Sequence, residues 1–423
     1  MKMLSPREVA PQTRIAFPDA RSVMLAAAVP LEAETVSLFA ASGRIAARTL
    51  SAAADIVPFA RSAMDGYALC AAATASASRA APRVVAVSSV TYAGDMPTSL
   101  PAGRAVAIAT GAPLPTGADA VVPFEEVHFA ENTITLFSPL AAGEHVFAPG
   151  DDARRGDVLI QAGEVVTPGR TGLLASAGYA ALAVHRQPRV AIVSTGNEVV
   201  AVDEMPASGQ IRNSNTAMLA ACLECDGAEI VFIEHARDVK KGLRATLLRA
   251  LTTSDLLITT GGASTGERDL VKGTLRELGA AFQFDSIALR PAKPTGFARL
   301  GACLIAVLPG NPAAAYVAYV ALVRGVVRRL AGDSNPLQAI VPAALDGIIR
   351  RKEQRHFLMF GALAISNGAF TVRPLVNQCS SLVRTSADAN ALIVAEPGSG
   401  YLRTGDTVPV EVLDWSAVPI SEG

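Results

Sequence analysis

Three loops carry the residues best suited to chemistry on an anion. The segment Thr260-Gly261-Gly262-Ala263-Ser264-Thr265-Gly266-Glu267-Arg268-Asp269 follows a strand-like run and opens a helix. Glycines let backbone N–H groups approach a phosphate, and a helix start adds free N–H donors. The segment matches neither the dinucleotide fingerprint nor the Walker loop. Asp269 has two open roles there: it can satisfy the helix dipole, or hold Mg²⁺ beside an anion. Glu198 follows an earlier apolar run; two carboxylates from neighbouring strand ends would make a hard-cation site. Arg290-Pro291-Ala292-Lys293-Pro294 sets two cations in a proline-stiffened loop suited to an oxyanion, and Pro309 to Pro312 opens the next helix. Asp65-Gly66 reads as a hairpin turn from propensity alone.

Other chemistries find little support. The five histidines show no H-x-x-H or H-E-x-x-H spacing, so a zinc or Ser-His-Asp enzyme is disfavoured. Five scattered cysteines suit a reducing compartment, and Cys222 and Cys225 read as buried small hydrophobes on a helix. Lys+Arg number 37 against 38 Asp+Glu, which argues against bulk nucleic-acid binding. The longest apolar run near the C-terminal third is broken by Arg324, and the N-terminus carries Pro6, Arg7 and Glu8 where a signal peptide would be apolar. We expect a cytoplasmic protein without membrane spans.

The 423 residues suggest about three domains. Residues 20–50 are predicted helical, over Ala20 to Ala28 and Leu31 to Ala41. Residues 51–144 alternate short apolar pieces with Gly and Pro and are predicted to be an inserted β-domain. From 186 to 330, apolar strands alternate with helices, which predicts a parallel sheet covered on both faces with ligands at the carboxyl ends of its strands. Residues 331–423 are expected to form a second small β-domain, and residues 145–185 to join residues 1–50 in a discontinuous unit.

Taken in chain order, SAMDGYAL from Ser62, TGAPLPTGADAVV from Thr110, GDDARRGDVL from Gly150 and PRVAIVSTGNEVV from Pro188 form one pattern. GQIRNSN from Gly209, ITTGGASTGERD from Ile258, RPAKP from Arg290 and LPGNP from Leu308 continue it. The pattern resembles the molybdopterin molybdenumtransferase family, the MoeA-type proteins that include the E domain of gephyrin. The resemblance implies an elongated α/β multidomain fold with a three-layer molybdopterin-binding domain. It also implies an inserted β-domain, an N-terminal helical dimerisation part and a C-terminal β-barrel. It further implies a homodimer in which the barrel of one subunit closes the site of the other.

The implied reaction inserts molybdate into adenylyl-molybdopterin with Mg²⁺, releasing AMP. By resemblance, Asp65, Glu198, Asp269 and Lys293 are catalytic, with Glu198 and Asp269 on the metal. Thr110, Asp152, Asp238, Gly261, Gly262, Ser264, Gly266, Arg290, Pro309, Pro312, Arg355, Ser380 and Ser381 bind substrate. Transient contacts with the adenylyltransferase and with apo-molybdoenzymes follow from the same likeness. The alternative within the family is a non-catalytic protein that binds or delivers the cofactor.

Four residues depart from the family pattern. Asn197 replaces a usual Asp, Ala292 a usual Gly and Ala263 a usual Val, while Phe360 stands where a basic residue is common before Gly361. We therefore expect Phe360 to border the molybdate pocket and to weaken it, so that Phe360→Arg would lower the molybdate requirement.

Overall fold

In a computed structural model, residues 14–262, 270–352 and 354–421 are described. The central element is a six-stranded sheet in the order Glu229–Ala236, Arg189–Thr195, Leu256–Thr260, Cys303–Leu308, Gly296–Leu300, Ala281–Phe284. The first four strands are parallel; the last two add an antiparallel edge. Strand side chains alternate between faces, so a run that is apolar throughout must feed two cores. Val190, Ile192, Leu256, Ile258, Leu304 and Ala306 enter one, and Ala191, Val193, Leu257, Ile305 and Val307 the other. Each fully buried Val, Leu or Ile contributes about 1.5–3 kcal/mol, and these residues are nearly all fully enclosed. The helices Ser214–Cys225 and Pro312–Ala318 cover the first face, and Lys240–Thr253 and Leu270–Glu277 cover the second.

The predicted helix from Ala313 to Leu330 is present but interrupted. Pro312–Ala318 passes through a π-turn, Tyr319–Val323, into Arg324–Leu330. The N-terminal helix Phe17–Ala27 packs on this run. The segment Leu31 to Ala41 is not helical. Ala33–Ser37 is a strand paired antiparallel with Ala181–His185, followed by a single 3-10 turn. Pairing with a distant strand overrides its helix-forming composition.

Residues between 38 and 56 share a core with residues between 153 and 184. The segment between them holds a second six-stranded sheet. There Gly66 starts a central strand, Gly66–Leu69, rather than a hairpin turn. A Cβ at Gly66 would lie 2.1 Å from the Val122 carbonyl oxygen, so close backbone approach demands glycine.

Residues 340–412 close into a five-stranded barrel, in which His356–Ser366 pairs with both Ala369–Pro374 and Ala391–Ala395. A closed barrel leaves no free edge among these strands. A strand of the sheet domain also joins it: Leu289–Arg290 pairs with His356 and Phe357. No helix among the described residues is long and apolar enough to cross a membrane.

Candidate active site

The carboxyl ends of three adjacent parallel strands open into a cleft of about 670 Å³ whose lining includes Thr195, Glu198, Asn215, Asp238, Gly261, Gly262 and Pro312. Gly261 has φ +91°, and a Cβ there would stand 2.3 Å from the Thr195 carbonyl oxygen. Glycine is thus required for two strand-end loops to touch. Asn215 Nδ2 donates to Thr260 Oγ1 and to the Gly310 carbonyl, each at 2.8 Å, while Thr260 Oγ1 donates to the Pro309 carbonyl at 2.9 Å. The start of the helix Ser214–Cys225, the end of the strand Leu256–Thr260 and the Pro309-Gly310 turn are thereby knitted into one rim. Thr195 Oγ1 and Asn215 Oδ1 are buried at this rim with no hydrogen-bond partner among the described residues. Such atoms carry a desolvation cost that a bound polar ligand can relieve.

Glu198 lies exposed in the cleft. Its carboxylate folds over Gly196, where a Cβ would come within 2.8 Å of Oε2. Asn197 Oδ1 accepts from the Asp238 backbone N–H at 3.1 Å. An amide oxygen makes that bond as a carboxylate would, without the charge.

The cleft runs into a second cavity of about 810 Å³; Lys293, Pro294, Pro309 and Asn311 border both. Six cations line this chamber: Arg290, Lys293, Arg350, Arg351, Lys352 and Arg355. No carboxylate among the described residues lines it. Arg290 stacks 4.7 Å above the Phe357 ring, which orients its guanidinium. Arg351 is held by the Pro397 carbonyl at 2.7 Å. Ser380 closes the wall, its carbonyl accepting from Ala313 N–H at 3.1 Å and its hydroxyl from Asn311 Nδ2 at 3.2 Å. A chamber with positive walls suits a small polyanion.

Three family models match the chain in succession. "MoeA N-terminal region (domain I and II)" covers residues 15–178, "Probable molybdopterin binding domain" covers 191–329, and "MoeA C-terminal region (domain IV)" covers 343–413. The chain belongs to the MoeA family. A molybdopterin molybdenumtransferase of Staphylococcus aureus (strain COL) is 31% identical over 390 residues, 92% of this chain and 93% of its own length. One of Bacillus subtilis (strain 168) is 33% identical over 387 residues, 90% of each chain. A solved MoeA structure from Pyrococcus horikoshii superposes with a TM-score of 0.78 at 29% identity, covering 95% of this chain and 99% of that one.

In this MoeA-family chain, Glu198, Asp238, Gly261, Gly262, Pro312 and Ser381 line the strand-end cleft, and Arg290, Arg355 and Ser380 line the chamber. Lys293 and Pro309 belong to both. Ser264, Gly266 and Asp269 lie outside the described residues. Asp65 and Thr110 meet each other in the inserted domain: the Thr110 N–H and hydroxyl donate to Asp65 Oδ1 at 2.7 and 3.0 Å. These bonds hold the Asp65 carboxyl below its ordinary 3.8. Neither residue lines the two cavities, and neither does Asp152, which is exposed in a loop.

Two expectations need correction. The barrel wall of the chamber comes from the same chain as the sheet domain, so closure does not require a partner's barrel. Phe360 is not at the pocket. It is 3% exposed and stacks on Tyr316 at 6.2 Å, within the core that joins the barrel to the sheet domain. The run Arg350-Arg351-Lys352, with Arg355 three residues on, was the sequence signal for the chamber's charge. Thr195, Asn215 and Asn311 carried no such signal, because their neighbours are brought together only by the sheet. Cys222 is a packing residue, its thiol pushed up to about 12 by burial, whereas Cys225 is exposed, contrary to its expected burial.

Proposed function

We propose that this chain inserts molybdate into the dithiolene of adenylyl-molybdopterin and releases AMP, yielding molybdenum cofactor. The observation that carries this reading is the continuity of the strand-end cleft with the six-cation chamber, which meet at Lys293. The glycine loop and the unpartnered Thr195 and Asn215 oxygens suit the polar, phosphate-bearing end of the substrate. The chamber suits molybdate, a dianion held by preorganised cations without reorganisation. Lys293 stands where both anions would face it and lowers their mutual repulsion.

The exposed Glu198 carboxylate and Asp238 line the same cleft and offer hard oxygen donors suited to Mg²⁺, to which the family resemblance would add Asp269. Bound there, Mg²⁺ would neutralise charge on the departing phosphate. We further propose a cytoplasmic homodimer in which Asp65 and Thr110 of a second copy approach this cleft. Release of AMP from adenylyl-molybdopterin on addition of molybdate and Mg²⁺ tests the reaction. Retention of full turnover by Glu198→Gln would remove the metal role. An active species with the mass of one 43.6 kDa chain would rule out the dimer.

A further inference from the structure

The loop that carries Arg290 and Lys293 is fastened from below by a lysine that touches neither cavity. Lys272 lies on the helix Leu270–Glu277, which directly follows the glycine-loop segment, and is 4% exposed. Its ammonium donates to the Asp285 carbonyl at 2.8 Å and to the Pro294 carbonyl at 2.9 Å. Room for the side chain exists because residue 296 is glycine; a Cβ there would lie 3.3 Å from Lys272 Cε. A buried ammonium is tolerated only where its donors are satisfied, so the two carbonyls are held as firmly as the charge is.

We propose that Lys272 is a positioning residue that fixes Lys293 relative to the helix Leu270–Glu277. Pro294 directly follows Lys293, and the Lys293 carbonyl in turn accepts from Ile287 N–H at 2.9 Å. Thr295 N–H and Oγ1 both bond to the Ala292 carbonyl, at 3.1 and 2.8 Å. The loop is thus pinned at Ala292, Lys293 and Pro294. Of these pins, the one at Pro294 originates on the helix Leu270–Glu277. Movement of that helix would be transmitted to the lysine shared by the two cavities.

This inference rests on the proposed role of Lys293 toward molybdate. Its test compares Lys272→Met, Lys272→Arg, Lys293→Ala and the Lys272→Met/Lys293→Ala pair, using the full chain with adenylyl-molybdopterin and molybdate. Lys272→Met should raise the molybdate KM by roughly tenfold, as removal of a supporting residue does, with a smaller change in kcat. Lys272→Arg should recover part of the loss. The double variant should be no worse in KM than Lys293→Ala alone, the non-additivity of two residues acting as one unit.

A Lys272→Met protein that folds with an unchanged molybdate KM would overturn the inference, as would strict additivity in the cycle. If Lys293→Ala itself leaves the molybdate KM unchanged, the role given to Lys293 fails first. Should Lys272→Met not fold, Lys272→Gln and Lys272→Arg supply the same comparison. An unmoved KM in both folded variants would be equally decisive against it.

Discussion

Arg21, on the N-terminal helix, is ion-paired with Glu411, a barrel carboxylate only 2% exposed. Its Nε also donates to the Ala321 carbonyl in the π-turn at 2.9 Å. One guanidinium therefore ties the N-terminal helix, the last helical run of the sheet domain and the barrel together. Glu411 Oε2 has no further hydrogen-bond partner among the described residues. Arg21→Met would strand a buried carboxylate, and breaking such a pair costs about 3–5 kcal/mol. Urea unfolding should register that loss, and adding Glu411→Gln should recover part of it. Equal stability of Arg21→Met and the parent would show that the pair contributes nothing.

Ala292 occupies a backbone conformation that favours glycine, with φ +83° and 3% exposure. A left-handed residue with a Cβ carries about 1–2 kcal/mol of strain, while burying its methyl returns about 0.8 kcal/mol. Ala292→Gly should therefore raise the melting temperature slightly. Ala292→Val, β-branched at positive φ, should lower it clearly. The reverse order in thermal unfolding would mean that methyl packing, not the dihedral, governs this position.

Phe360→Arg should destabilise the protein instead of improving molybdate use. The ring is lost from an enclosed stack on Tyr316, and an unpaired guanidinium takes its place. Truncating a buried Phe alone costs about 3–5 kcal/mol. Phe360→Leu should fold with a smaller loss. A soluble, normally stable Phe360→Arg protein with a lowered molybdate requirement would refute the core placement.

The Asp65 carboxyl is held low by two donors from one residue, backbone first and hydroxyl second. Thr110→Val removes the hydroxyl and leaves the N–H. The Asp65 titration, followed by carboxyl-carbon NMR, should then move up toward 3.8 without passing it. Because the folded value is depressed, the associated stability is present above the unfolded value and fades as pH falls through the folded one. Thr110→Val should accordingly narrow that acid dependence. An unmoved titration would place the whole effect on the backbone N–H.

Much of the sheet domain was legible because strands buried on both faces read as continuous apolar runs, and Gly261-Gly262 and Pro309-Gly310 punctuate them. The Gly261-Gly262 turn and the Arg290–Pro294 loop were legible from their Gly and Pro content. Ala33–Ser37 was not, because its partner lies well over a hundred residues away and its Ala and Glu content favours helix. Phe360 was misplaced because the residue before a glycine in a barrel strand can face either side, and only the pleat decides. Asp65-Gly66 showed the glycine correctly but not its cause, a carbonyl from another strand. Thr195, Asn215 and Lys272 are ordinary in type and acquire meaning only through packing.

The strand Leu289–Arg290 leaves the sheet domain to hydrogen-bond with the barrel, and the Arg290 guanidinium rests on the barrel's Phe357. The basic loop is therefore anchored at its entry to the barrel and at its exit, through Pro294 and Lys272, to the sheet domain. A rotation of the barrel large enough to widen the chamber would have to stretch or tear this five-residue bridge. The chamber's two walls are thus joined by one short covalent segment, and an oxyanion bound there would meet a span set by how the chain folds, so that its size would decide the fit.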